Sequence, residues 1–167
     1  RWGRNDIAFI IAGDMRMRGS LPGELGRFAN LKDYAAAHGV ADAFCFLGHV
    51  AEPERVLSGC HITARPSRED NPWGRETIES LAAGRPVVAT GRYDRFVEDG
   101  VTGRLLPAYD AESFAAAILD LADNDPLRER LAVAASRRIA ELCDGPARAS
   151  DLLTIWQNVV RSAASPD

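Results

Sequence analysis

Residues 65–90 read RPSREDNPWGRETIESLAAGRPVVAT. The strand Cys60 to Ala64 ends ahead of Pro66, which disfavours helix in the residue before it. A polar loop follows, then a helix around Arg75 to Ala83 and a second apolar strand at Val87 to Thr90. Strand, loop, helix and strand in so short a span describe two parallel strands joined by a crossover helix. Gly74 lets the backbone come close to a ligand. The N–H groups of Arg75, Glu76 and Thr77 have no partners inside the helix and, with the helix dipole, form an anion site. Glu79 stands about one turn further in, at the edge of a buried stripe of Ile78, Leu81 and Ala82. A carboxylate there can accept two hydrogen bonds from a cis-diol such as a ribose. Phosphate and hydroxyls on one ligand describe a sugar nucleotide. A plainer reading stands level with this one on spacing alone: Asn71 as N-cap, Pro72 at the first helical position, and Glu79 as a solvated helix residue.

The same alternation runs through the rest of the chain. Ile7 to Gly13 is a continuous apolar run, the pattern of a strand buried on both faces. Gly19 to Gly23 is turn material. Leu25, Phe28, Leu31 and Tyr34-Ala35 recur at helical spacing, and His38-Gly39 supplies a stop. Ala43 to Leu47 is a second buried strand. Glu52 to Leu57 is a short helix with Pro53 in its first turn. Tyr93 to Asp99 reads as another short helix, and Gly100 to Leu106 as a turn and brief strand. Asp110 caps a helix reaching Leu121. Pro126 to Leu142 and Ala147 to Ala164 are amphipathic helices. The predicted fold is α/β: a parallel sheet with helices on both faces, three layers in all, whose ligands bind beyond the carboxyl ends of the strands.

The chain has 167 residues, 46% hydrophobic and 26% charged, which fits one domain. A net charge of −4, with arginines dispersed among acids, argues against a nucleic-acid partner. Cys45, Cys60 and Cys143 fit neither a disulfide framework nor a zinc motif, and read as reduced thiols of a cytoplasmic protein. No apolar run is long enough to span a membrane. The opening RWGRND goes straight into a strand, as expected of a piece of a longer protein.

Residues 65–90 resemble the signature of family 4, or group 1, of the retaining glycosyltransferases, which have the GT-B fold. Pro66-Ser67 matches its opening, Trp73-Gly74 stands in place of Phe-Gly, and Glu79 is its second acid. Leu81-Ala82-Ala83-Gly84-Arg85-Pro86-Val87-Val88-Ala89-Thr90 follows it almost residue for residue. Ala43 to Gly48 resembles the strand before the nucleobase loop, and Val97 to Pro107 a further element. The resemblance runs from Ile7 to about Leu131.

It implies the donor-binding, C-terminal domain of such an enzyme, with a nucleoside-diphosphate sugar as substrate and neither cofactor nor metal. The donor site would comprise Val50, Ser67, Trp73, Gly74, Arg75, Glu76, Thr77, Ile78 and Glu79. Glu79 would bind the ribose. The family's first acid, which contacts the transferred sugar, falls at Asn71, so Asn71 and Glu79 are the candidate catalytic pair. An amide keeps contact with a hydroxyl but brings no charge to a developing oxocarbenium ion, and Glu69 or Asp70 is placed to substitute. The diphosphate clamp and the acceptor-binding domain would precede Arg1. Residues 147–165 would form a tail helix crossing toward that domain, with an apolar face able to self-associate. The product would be a cell-envelope polysaccharide or glycolipid, made in the cytoplasm or at the inner membrane face. Competing readings are a non-catalytic nucleotide-sugar-binding domain, an epimerase or a phosphorylase. A dehydrogenase is disfavoured, since no GxGxxG follows the first strand.

Overall fold

The computed structural model describes residues 4–14 and 28–163. The elements are β1 (Phe9–Ala12), α1 (Leu31–Ala37), β2 (Phe44–Gly48), α2 (Pro53–Gly59), β3 (Thr63–Arg65), α3 (Arg75–Ala82), β4 (Val87–Thr90), β5 (Gly103–Leu106), α4 (Ala111–Asp123), α5 (Asp125–Leu142) and α6 (Gly145–Ala163). A single 3-10 turn, Ala41–Ala43, leads into β2. The chain divides into two compact units, residues 1–55 and 56–167. Each unit holds a parallel sheet of the described strands, β1-β2 in the first and β3-β4-β5 in the second.

In the first unit β1 pairs with β2 in the register Phe9↔Phe44, Ile10↔Cys45 and Ile11↔Phe46, then slips so that Ala12 meets Gly48. Phe9 stacks on Phe44 at 5.0 Å and Phe44 on Phe46 at 5.8 Å. This aromatic face is half-buried. Ile10 and Leu47 on the other face stay 42% and 44% exposed. The expectation of strands buried on both faces is therefore corrected for β1 and β2. An apolar run reports what a strand is able to bury, and here one face carries the stacked rings. Helix α1 starts later than the apolar spacing predicts. The Asn30 side chain accepts from Asp33 N at 2.9 Å and caps it, leaving Phe28 outside the helix and edge-on to Tyr34 at 5.2 Å. Gly39, at φ +65°, ends the helix as expected. The predicted turn at Gly19–Gly23 and Leu25 lie outside the described residues.

The second unit is built on β4, all four residues of which are buried. It lies between β3 and β5, with Thr63↔Val87 and Val87↔Gly103 in register. On one face Leu81 of α3, Ala135 and Ile139 of α5, Val87, Ala89 and Val97 form a core. On the other, Phe114, Ala117 and Leu121 of α4 pack with Val88 and Leu131. Helices on both faces of a parallel sheet are the predicted three layers. Gly103 is obligatory by contact, because a Cβ there would run into the backbone of Val87.

Tyr93 to Asp99 is not the short helix expected. Its backbone is held by side chains instead: Glu98 N donates to Thr102 Oγ1 at 2.9 Å, and that hydroxyl donates to Phe96 O at 3.0 Å. Asp99 accepts from Leu105 N at 3.0 Å. Such bonds offer the backbone an alternative to helix, and they drive Val97 into the core. Asp110 caps α4 through Ser113 N at 2.8 Å, as predicted. In α6 Ala147 is half-buried and the other residues are exposed, including Trp156 and Val160. Among the described residues no helix is long and apolar enough to cross a membrane.

Candidate functional site

Helix α3 sets the site. Its N-cap is Gly74, fully extended at φ −179° and ψ 176°, so Asn71 is not the cap. Thr77 N and Ile78 N both return to Gly74 O at 3.1 Å. Among the described residues nothing takes the first-turn N–H groups of Arg75 and Glu76. The buried stripe is Thr77, Ser80 and Leu81, which corrects the expected Ile78, Leu81 and Ala82. Ile78 is half-buried against the core, and Ala82 is exposed. The reason lies in α5. Ser136 Oγ bonds to Leu81 O at 3.4 Å, and a Cβ at Gly84 would stand 3.2 Å from the same hydroxyl. Small residues on α3 allow this approach, and Ser80 satisfies its own hydroxyl on Glu76 O at 2.6 Å. Thr77 is also fully buried, with its hydroxyl unpaired. Glu79 keeps its expected place beside the stripe. Its side chain is 39% exposed and lies 3.4 Å from Arg75 Nε, a pair worth little at the surface.

The loop between β3 and α3 is pinned from two sides. The Thr90 hydroxyl donates to Ser67 O, and Arg92 N donates to the Asp70 carboxylate at 2.7 Å. At its other end Arg65 Nε donates to Asn71 O at 3.0 Å, and the Arg65 guanidinium pairs with Glu76. Gly91, at φ +142°, leaves no room for a Cβ, which would press on Pro72 and stand 2.9 Å from Asp70 Oδ1. One oxygen of Asp70 is therefore bound to the backbone of the loop that follows β4. Glu69 is exposed, as is Asn71. Trp73 is 46% exposed, its ring 5.7 Å from Phe96 and 6.1 Å from Tyr93.

The structure thus gathers Ser67, Asn71, Trp73 and Gly74 to Glu79 along one loop and helix head at the carboxyl ends of β3 and β4. Val50 belongs to the first unit, half-buried two residues past Gly48, whose φ of +70° turns the chain after β2. Sequence reasoning missed Arg65, Thr90, Gly91 and Arg92 as shapers of the loop. The one usable signal was their position at the carboxyl ends of adjacent parallel strands. Beyond the loop a cavity of about 210 Å³ opens between Arg68, Glu69, Arg92 and Tyr109, with the Arg68 guanidinium 5.4 Å over the Tyr109 ring. Among the described residues no group of three or more His, Cys, Asp or Glu side chains could hold a metal ion.

The family model described as glycosyl transferases group 1 matches residues 3–138. A phosphatidyl-myo-inositol mannosyltransferase from Mycobacterium leprae is 31% identical over 132 residues, 77% of this chain and 35% of that protein. A D-inositol 3-phosphate glycosyltransferase from Streptomyces coelicolor is 33% identical over 117 residues, 68% of this chain and 25% of its own length. The chain thus spans about a third or less of these two relatives. In fold it is similar to the Anabaena protein HepE, solved in complex with UDP. The TM-score is 0.74 and the identity 24%, with 90% of this chain and 42% of that one covered. The match over most of the chain and the α/β architecture agree: this chain belongs to the group 1 glycosyl transferases.

Proposed function

We propose that this chain is the C-terminal, donor-binding half of a retaining glycosyltransferase that moves a sugar from a nucleoside-diphosphate donor to an acceptor bound mainly elsewhere in the protein. One observation carries the reading. Gly74 opens α3, among the described residues nothing takes the N–H groups of Arg75 and Glu76, and the half-exposed carboxylate of Glu79 stands one turn away. Phosphates suit the first-turn N–H groups, which offer directed donors and a favourable dipole. The ribose diol suits Glu79, an acceptor-only group able to take both hydroxyls. Asn71, on the same loop, is placed to bond a hydroxyl of the transferred sugar, and the backbone at Trp73 and Gly74 to flank it. Negative charge leaves with the diphosphate, so a site built from N–H groups needs no metal to receive it.

The two inositol-linked relatives suggest a polyol acceptor class, as free headgroup or lipid. An acceptor of that class would be met in the cytoplasm or at the inner membrane face, as a step in envelope glycolipid or polysaccharide synthesis. A second reading, a domain that binds the nucleotide sugar without catalysis, is favoured by one observation: position 71 is an amide and Asp70 is tied to Arg92 N. Calorimetric titration with UDP, GDP and ADP tests donor binding. Wild-type chain gives heat with at least one of them, and Glu79→Gln weakens that binding by about 1.5–3 kcal/mol, the worth of a charge-assisted pair. Silence from all three at millimolar ligand refutes the donor site. Unchanged affinity in Glu79→Gln returns Glu79 to a solvated helix position. Sugar transfer by the full-length protein separates catalysis from binding alone.

A further inference from the structure

The head of α3 already holds an anion, supplied by the chain itself. Glu76 is the second residue of the helix, and its carboxylate folds back over the N-cap. A Cβ built on Gly74 would stand 2.6 Å from Oε1 and 2.7 Å from Oε2. The guanidinium of Arg65, at the end of β3, closes on the same Oε1. Arg65 is itself anchored, because its Nε donates to Asn71 O at 3.0 Å. Its side chain is 23% exposed, against 51% for Glu76. The cation is thus held in place by the fold, while the carboxylate has solvent to move into. A negative group at a helix N-terminus is favoured by the dipole and by the unpaired N–H groups. A phosphate answers both, and also matches a guanidinium in geometry. The other acid of the helix, Glu79, pairs instead with Arg75.

We propose that Arg65 is a cation of the donor's diphosphate site and that Glu76 screens it, so that donor binding exchanges one anion for another. The Glu76 carboxylate turns out to solvent, and a phosphate takes its place on Arg65 and the first-turn N–H groups. This assignment rests on the donor reading above. It makes Glu76 a competitor in the site. A neutral nucleoside gains nothing from displacing it, whereas a diphosphate does, so the exchange favours ligands by phosphate charge.

The test is calorimetric titration of wild type, Glu76→Gln and Arg65→Met at one ionic strength. The probes are the best-binding member of UDP, GDP and ADP, and the corresponding nucleoside. Glu76→Gln should tighten the diphosphate about two- to fivefold, the worth of one charge at a helix end, and leave the nucleoside unchanged. Arg65→Met should weaken the diphosphate at least about tenfold and spare the nucleoside. Diphosphate affinity lowered or unchanged in Glu76→Gln overturns the exchange. Equal losses for both ligands in Arg65→Met overturn the phosphate contact and leave Arg65 a support for the Asn71 carbonyl. If Arg65→Met loses its folded circular-dichroism spectrum, Glu76→Gln alone decides. Wild type that binds no diphosphate fails at the donor reading, a result distinct from either variant outcome.

Discussion

Replacing Gly91 with Ala tests how the 66–74 loop is held. Gly91 sits directly after β4 at φ +142°, a region open to glycine and strained for any L side chain. That strain alone costs on the order of 1–3 kcal/mol. The added methyl also has nowhere to go. It would press on the ring of Pro72, which is fully buried, and stand 2.9 Å from Asp70 Oδ1. Relief requires the 66–74 loop to lift away from β4, breaking the Asp70 bond to Arg92 N at 2.7 Å. Together these give a loss of about 3 kcal/mol, which for a domain of this size lowers the melting temperature by ~9–13 °C. The lifted loop carries Asn71 and Gly74 with it, so on the proposed donor site nucleoside-diphosphate affinity should fall as well. The matched control is Gly145→Ala, where a Cβ meets nothing within 4 Å and φ is not positive; it should stay within about 0.5 kcal/mol of wild type. Scanning calorimetry and ligand titration read both effects. A Gly91→Ala protein with wild-type melting and wild-type affinity would refute the claim that contact with Gly91 shapes the loop.

Three further perturbations probe the scaffold. Leu81→Ala opens a cavity among Val87, Ala89, Ala135 and Ile139 and should cost about 2–5 kcal/mol by thermal denaturation, whereas Leu153→Ala, on the exposed α6, should cost less than about 0.5. The Asp110 carboxyl lies below its ordinary value of 3.8 because the Ser113 hydroxyl and then its backbone N–H bond the charged form. Its contribution is therefore present above 3.8 and lost as pH falls through the lower folded value. The advantage of wild type over Asp110→Ala should shrink in acid, and an advantage that grows instead would show the cap acts through the neutral form. In hydrogen exchange, the amides of Val88 and Ala89 should be the slowest and those of β1 and β2 faster, because a two-stranded sheet with one open face is marginal on its own; equal protection would contradict this.

Much of the fold was legible because its signals are local. Strand β4 lies on the predicted residues 87–90, α3 starts at the predicted Arg75, and Asp110 caps α4 as its position before an apolar run implied. The misses share one cause, dependence on residues distant in sequence. The face that α3 buries is set by Ser136, 55 residues away. The turn at Tyr93–Asp99 follows from the Thr102 hydroxyl, which no periodicity reveals. At the site, the spacing from Gly74 to Glu79 was readable. That Asp70 is committed to Arg92, and that Glu76 folds back onto Gly74, was not, because both depend on where a loop is tied down.

The ties from Thr90, Gly91 and Arg92 to the 66–74 loop have a consequence for anyone who would reuse this site. Twenty-odd residues separate the two ends of each tie, and β4 runs between them. A transplant of residues 65–84 into another scaffold would carry the signature letters without the frame that bends them. The smallest graft that keeps the shape must extend through Arg92 and bring a neighbouring strand for β4 to lie against. The motif is a property of the carboxyl end of a sheet, read along one stretch of chain but made by two.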